Sequence, residues 1–155
     1  MIKSNLNIRP FLLLMLFSFF DTLALSVKAS AQQELIKITN PYIKVVGQNA
    51  ISAAGYMVIE NLGNQDITMI EAASDFAVAM LHTSKEKDGI VRMIHLNEIY
   101  IEAGKKIAFQ PGGLHIMFVG IKEKLINKNR EKISLKFKSS NKSFEKKIEF
   151  VIKKK

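Results

Sequence analysis

From about position 41 onward the apolar residues of this chain alternate with polar ones, and turn residues break the alternation roughly every ten positions. Beyond the first thirty or so residues, no stretch keeps apolar residues at helical spacing for a useful length. That pattern leaves one fold class open, in which short strands bury one face and wet the other. It predicts strands over Pro41–Val46, Ala54–Asn61, Ile67–Ser74, Ala77–Ser84 and Ile90–Leu96. Further strands are expected in "IYIEAG", "KIAFQ" and "LHIMFVGI", and in the late segments "KISLKFK" and "KKIEFVI". Leu62–Asp66, with Gly63 and Asn64, reads as a turn, and so does Lys85–Gly89, whose Asp-Gly pair favours reversal. Many short strands at this spacing predict an all-β fold, an antiparallel sandwich or barrel.

The alternation does not reach the N-terminus. Lys3 and Arg9 precede the apolar run Phe11–Phe20, and Ala29-Ser30-Ala31 has the small-x-small form of a cleavage site. Residues 1–31 are therefore expected to be a secretory signal peptide, and residues 32–155 one domain. Asp21 interrupts the apolar run short of the ~20 residues that span a bilayer, which argues against a retained anchor. The 155 residues include no cysteine. That excludes disulfides, thiolate metal sites, iron–sulfur clusters and cysteine nucleophiles. The net charge is +9, and its excess lies late in the chain, where lysines alternate with apolar residues. Such lysines read as the solvated face of strands, with weak attraction to a lipid surface and no role in nucleic-acid binding. No phosphate loop, nucleophile elbow, zinc-protease motif or carboxylate pair is present, so nothing points to an enzyme.

The chemistry concentrates between positions 82 and 117. His82, His95 and His115 are the only histidines; Met93 lies among them, and Met80 and Met117 flank them two residues away. In "LHIMFVG", Leu114, Ile116 and Phe118 share one strand face, while His115 and Met117 share the other. His82 has the parity of Met80, and Met93 that of His95 and Val91. A hairpin across Lys85–Gly89 would bring His82 and Met93 near one end of paired strands, and a third strand carrying His115 and Met117 would complete two imidazoles and two thioethers. Such neutral, soft donors suit Cu(I). Zinc prefers thiolate, imidazole or carboxylate, and calcium needs clustered oxygens. Met57 and Met69 read instead as core filler. Pro111-Gly112-Gly113 is expected to turn the chain sharply before His115, with either glycine free to take positive φ, so Gly113→Val should misplace the ligand pair.

The spacing also carries a resemblance. His82, ten residues, Met93, twenty-one residues, then His115-x-Met117 is similar to the signature of the periplasmic copper chaperones of the PCu(A)C family. "AGYMVIEN", "LHTS", "DGIVRM" and "IEAGKKIAFQPGGLHIMFVGI" resemble that family's flanking text, so the likeness runs from about Leu35 to the last strand. The resemblance implies a cupredoxin-like antiparallel β-sandwich of Greek-key type with a solvent-accessible copper site. It implies His82, Met93, His115 and Met117 as ligands. It further implies a periplasmic protein that delivers Cu(I) toward the CuA centre of cytochrome c oxidase, either to an oxidase subunit or to a second copper chaperone; a monomer is expected. His95 stands outside the signature, either as a surface histidine or as an added nitrogen for Cu(II). The competing function is a secreted β-sandwich interaction module that binds anionic surfaces through its lysines.

Overall fold

The computed structural model describes residues 35–47, 49–121, 125, 127–140 and 142–154, within the compact unit formed by residues 33–155. The expected signal peptide, residues 1–31, lies outside the described residues. Among the described residues there are ten strands. They are β1 (Ile36–Val45), β2 (Ser52–Asn61), β3 (Ile67–Ala73), β4 (Val78–Lys87), β5 (Ile90–His95), β6 (Ile99–Ile101), β7 (Lys106–Phe109), β8 (Leu114–Val119), β9 (Arg130–Ser139) and β10 (Lys142–Lys154). They form one curled sheet in the order β5-β4-β8-β7-β2-β1-β10-β9-β3-β6, with β8 also pairing β2. The curl brings β3 against β4 and encloses a single core, the all-β cupredoxin-like architecture expected. Most pairings are antiparallel; β1 with β10 and β7 with β8 are parallel.

The core follows from alternation. In β9, Ile133, Leu135 and Phe137 are fully buried while Lys132, Lys136 and Lys138 between and beyond them are exposed. The late lysines therefore stand on a solvated face. Their ion pairs, Lys136 with Glu71 at 3.6 Å and Arg130 with Glu149 at 2.7 Å, are exposed and add little stability. Met57 and Met69 are core residues, as expected.

Two local features differ from the sequence expectation. Pro41 does not open the first strand; β1 begins at Ile36 and absorbs Pro41 at a register shift between Thr39 and Tyr42, where Asn40 takes φ 51°. A bulge can hold a residue that lacks an amide donor. The turn after β4 is also tighter than Lys85–Gly89. Only Asp88 (φ 54°) and Gly89 (φ 73°) leave the ladder, and both angles are positive, as a two-residue type I′ hairpin requires. Lys87 thus pairs with Ile90, and this fixes the register of every residue behind it.

Candidate metal centre

That register sets out a row of imidazoles. On β4, His82 lies directly opposite His95 of β5 on one side and His115 of β8 on the other. The ring centres are 5.4 Å apart for His82 and His95, and 5.8 Å for His82 and His115. The row continues to Tyr56 of β2, whose ring centre is 6.5 Å from that of His115, and on to Tyr42 of β1 at 5.2 Å. Two positions along β8, Met117 stands opposite Met80 of β4, and Met93 of β5 stands opposite Ser84. Strand periodicity puts all of these on the face turned away from Leu81, Ile116 and Phe118, which are core.

Met93, His115, Met117 and Ser84 line one open cleft of about 540 Å³, together with Tyr56, Gly112 and Ala54. His82 joins them through its ring contact with His115. His95 does not line this cleft. It opens with Met80 onto a separate cleft of about 180 Å³. Exposure grows outward along the row: His115 is 6% exposed, His82 is half-buried, and His95 lies exposed on the edge strand. Met93, also on that edge, is 62% exposed.

Each inner imidazole has a defined electronic state. The Nδ1 of His115 lies 3.0 Å from the carbonyl of Gly113. A carbonyl only accepts, so Nδ1 carries a proton, and in the neutral ring the lone pair then falls on Nε2. The same carbonyl accepts the Ser84 amide at 3.1 Å, which ties β4 to the turn before β8. His82 Nδ1 is buried with no hydrogen-bond partner. A buried polar atom without a partner is costly, and a bound cation would remove the cost. Burial holds the His82 imidazole below its ordinary range, helped by repulsion from His115 and His95. It therefore stays neutral and able to ligate at pH values where a free histidine begins to charge.

A stability prediction follows from that shift. Because the unfolded chain protonates His82 more readily than the folded one, the contribution is complete above the ordinary value of 6.5 and is lost as pH falls below it toward the lowered value. Urea midpoints of the apo-protein should fall between about pH 7 and pH 5, and His82→Gln should flatten that slope. Protons should weaken copper binding over the same range, because a protonated imidazole nitrogen has no lone pair to give.

The turn before β8 corrects one expectation. Gln110 accepts the Gly113 amide at 3.0 Å, Pro111 occupies the second position, and Gly112 has φ 81° in the third, which defines a type II turn. The positive φ belongs to Gly112 and not to Gly113. A Cβ on Gly113 would meet only Gln110 atoms at 3.6 Å, an ordinary contact. The sensitive substitution is therefore Gly112→Ala, expected to cost about 1–2 kcal/mol for a left-handed non-glycine residue. Gly113→Ala should change unfolding and copper affinity little. Equal effects of the two in thermal melts would contradict this account of the turn.

Among the described residues, no group of three or more histidine, cysteine, aspartate or glutamate side chains is placed to hold a metal. The three imidazoles lie in line and do not converge on one point, and the methionine sulfurs of Met80, Met93 and Met117 stand on the same face. That fits a soft monovalent ion better than zinc or a hard cation. The sequence does not single out Tyr56, which stands beside the His115 ring, and marks Met80 only as sharing the parity of His82.

The architecture matches solved PCuAC domains. The copper-bound PCuAC domain from PmoF2 superposes with a TM-score of 0.62 at 21% identity, covering 79% of this chain and 95% of that one. The apo PCuAC domain from PmoF1 gives 0.63 at 19% identity, with 79% and 96% covered. Apo-DR1885 from Deinococcus radiodurans gives 0.55 at 24% identity, with 79% and 82% covered. The fold is thus that of a PCuAC domain. In sequence, residues 36–145 match the family described as "Putative lipoprotein LpqE-like", and the chain belongs to that LpqE-like family. One relative, "Putative lipoprotein Lxx21020" of Leifsonia xyli subsp. xyli, is 27% identical over 114 residues, 72% of this chain and 68% of that protein.

Proposed function

We propose that this protein is an exported copper carrier that binds one Cu(I) through His82, Met93, His115 and Met117 and passes it to another protein. The observation that carries this reading is the shared cleft of Met93, His115 and Met117, with the unpartnered His82 Nδ1 beside it. The spacing of the four residues supports the same set, and so does the likeness to a domain solved with copper.

Copper is the cargo, and the donors suit carriage. Four neutral ligands hold Cu(I) without charge neutralisation, and thioethers avoid the oxidation to disulfides that thiolates risk outside the cytoplasm. Gly113 holds the His115 proton on Nδ1 and so leaves Nε2 as the ligating nitrogen of the neutral ring. Exposed Met93, on an edge strand, can swing away while an acceptor's ligand comes in. Copper then moves by stepwise ligand exchange with no free-ion stage. We infer the periplasm as the compartment, and the CuA centre of cytochrome c oxidase, or a second chaperone serving it, as the destination.

Titration with Cu(I) against a competing chelator tests the carrier. One tight equivalent, lost in Met93→Ala and Met117→Ala, is expected. No uptake by the wild type would instead favour an interaction module acting through its exposed lysines. Transfer to an apo CuA domain tests the destination; copper retained in the presence of that acceptor would leave a buffer without that recipient.

A further inference from the structure

The proposed inner set uses one side of His82 and leaves the other unexplained. There, His95 faces His82 across the β4–β5 ladder with ring centres 5.4 Å apart and planes at 83°. Met80, two residues before His82 on the same face, lines a small cleft of about 180 Å³ with His95. Met80 and His95 thus border an opening distinct from the inner cleft, and His82 stands beside it against the His95 ring.

We propose that Met80, His82 and His95 form an outer Cu(I) station, which shares His82 with the inner set and serves as the place where copper enters and leaves. The inference rests on the carrier reading, since it assigns a second position to the same cargo.

The ring spacing fits a shared ion. With nitrogen–metal bonds of about 2.0–2.1 Å, two imidazoles on one metal hold their ring centres about 5–6 Å apart. His82–His95 at 5.4 Å and His82–His115 at 5.8 Å both meet that condition. His95 and His115 cannot meet it together. They sit two strand spacings apart, about 9–10 Å, in keeping with the lack of a three-histidine group among the described residues. His82 must therefore choose, and a single ion occupies one station at a time.

The exposure gradient gives the order. His95 lies on the edge strand in water, and His115 is buried. A donor protein or small chelate meets His95 and Met80 first. Copper then keeps its bond to His82, loses Met80 sulfur and His95 nitrogen, and gains His115 nitrogen with sulfur from Met93 and Met117. Every ligand is neutral, the ion stays Cu(I), and no proton or electron moves.

The test removes the inner set and asks what remains. In a Met93→Ala/His115→Ala protein with native circular dichroism, Cu(I) supplied against bicinchoninate should still bind as one weaker equivalent. X-ray absorption should show both nitrogen and sulfur around it. Adding His95→Ala or Met80→Ala should weaken that equivalent by at least roughly ten-fold. A double variant that binds no copper, or whose residual copper ignores both substitutions, overturns the outer station. Met117→Ala/His115→Gln offers a second background should the first fail to fold, with the same outcomes. In the otherwise wild-type protein, His95→Ala should slow copper uptake from the chelate, and an unchanged rate counts against the proposal. The carrier reading is judged separately, by whether the wild type holds a tight equivalent that either double variant loses.

Discussion

His115→Ala should lower the affinity for Cu(I) by more than about 100-fold, since removing merely the partner of a metal ligand costs roughly 10–100-fold. His115 is the most buried of the four proposed ligands, and its ring is fixed from three sides. Gly113 holds Nδ1 at 3.0 Å, Tyr56 stands 6.5 Å away, and His82 lies 5.8 Å away, measured between ring centres for the last two. A donor held in place by its surroundings loses little freedom when it binds, so its removal forfeits more than removal of a mobile one. Met93, 62% exposed on an edge strand, is the contrasting case. Met93→Ala should weaken binding less than His115→Ala when both are titrated against the same chelator. The reverse order would show that the buried imidazole is not the anchor.

Phe118→Ala should destabilise the apo-protein by about 3–5 kcal/mol. Against a total of roughly 5–15 kcal/mol for a domain, that brings the fold close to its limit. Phe118 is fully buried, its ring centre is 5.0 Å from that of Phe76, and its edge lies over Gly55. A Cβ at Gly55 would come within 2.9 Å of Phe118 Cε2, so nothing larger than glycine fits beneath the ring without displacing it. The residue stands on β8 next to Met117 and faces the opposite way. Its loss should loosen the strand that carries two proposed ligands. Urea unfolding checks the number, and Cu(I) should recover part of the lost stability by binding the folded state alone. A loss below about 1 kcal/mol would mean that the inner face of β8 is not packed as described.

These two effects were unequally visible in the sequence. Alternation in "LHIMFVG" is enough by itself to separate Phe118 from His115 and Met117, because strand periodicity depends on nothing distant. The strands, the core role of Met57 and Met69, and the outward lysines of β9 were legible for the same reason. Strand order was not. That β8 lies beside β4, and that β1 runs parallel to β10, follows from pairings far apart in sequence that local patterning does not encode. The placement of His95 lies between these cases. Asp88-Gly89 is a strong signal for a two-residue hairpin, and counting back from it pairs His82 with His95. Reading Lys85–Gly89 as one longer turn hid that register. The burial of His115 was not legible either, because it depends on Tyr56 of β2 and His82 of β4 closing in from neighbouring strands.

X-ray absorption of the protein loaded with one equivalent of Cu(I) tests the central claim most directly. The expected shell holds nitrogen at about 2.0 Å and sulfur at about 2.3 Å, with the sulfur contribution reduced in Met93→Ala and Met117→Ala. A shell of nitrogen and oxygen alone, unchanged by either substitution, would contradict it.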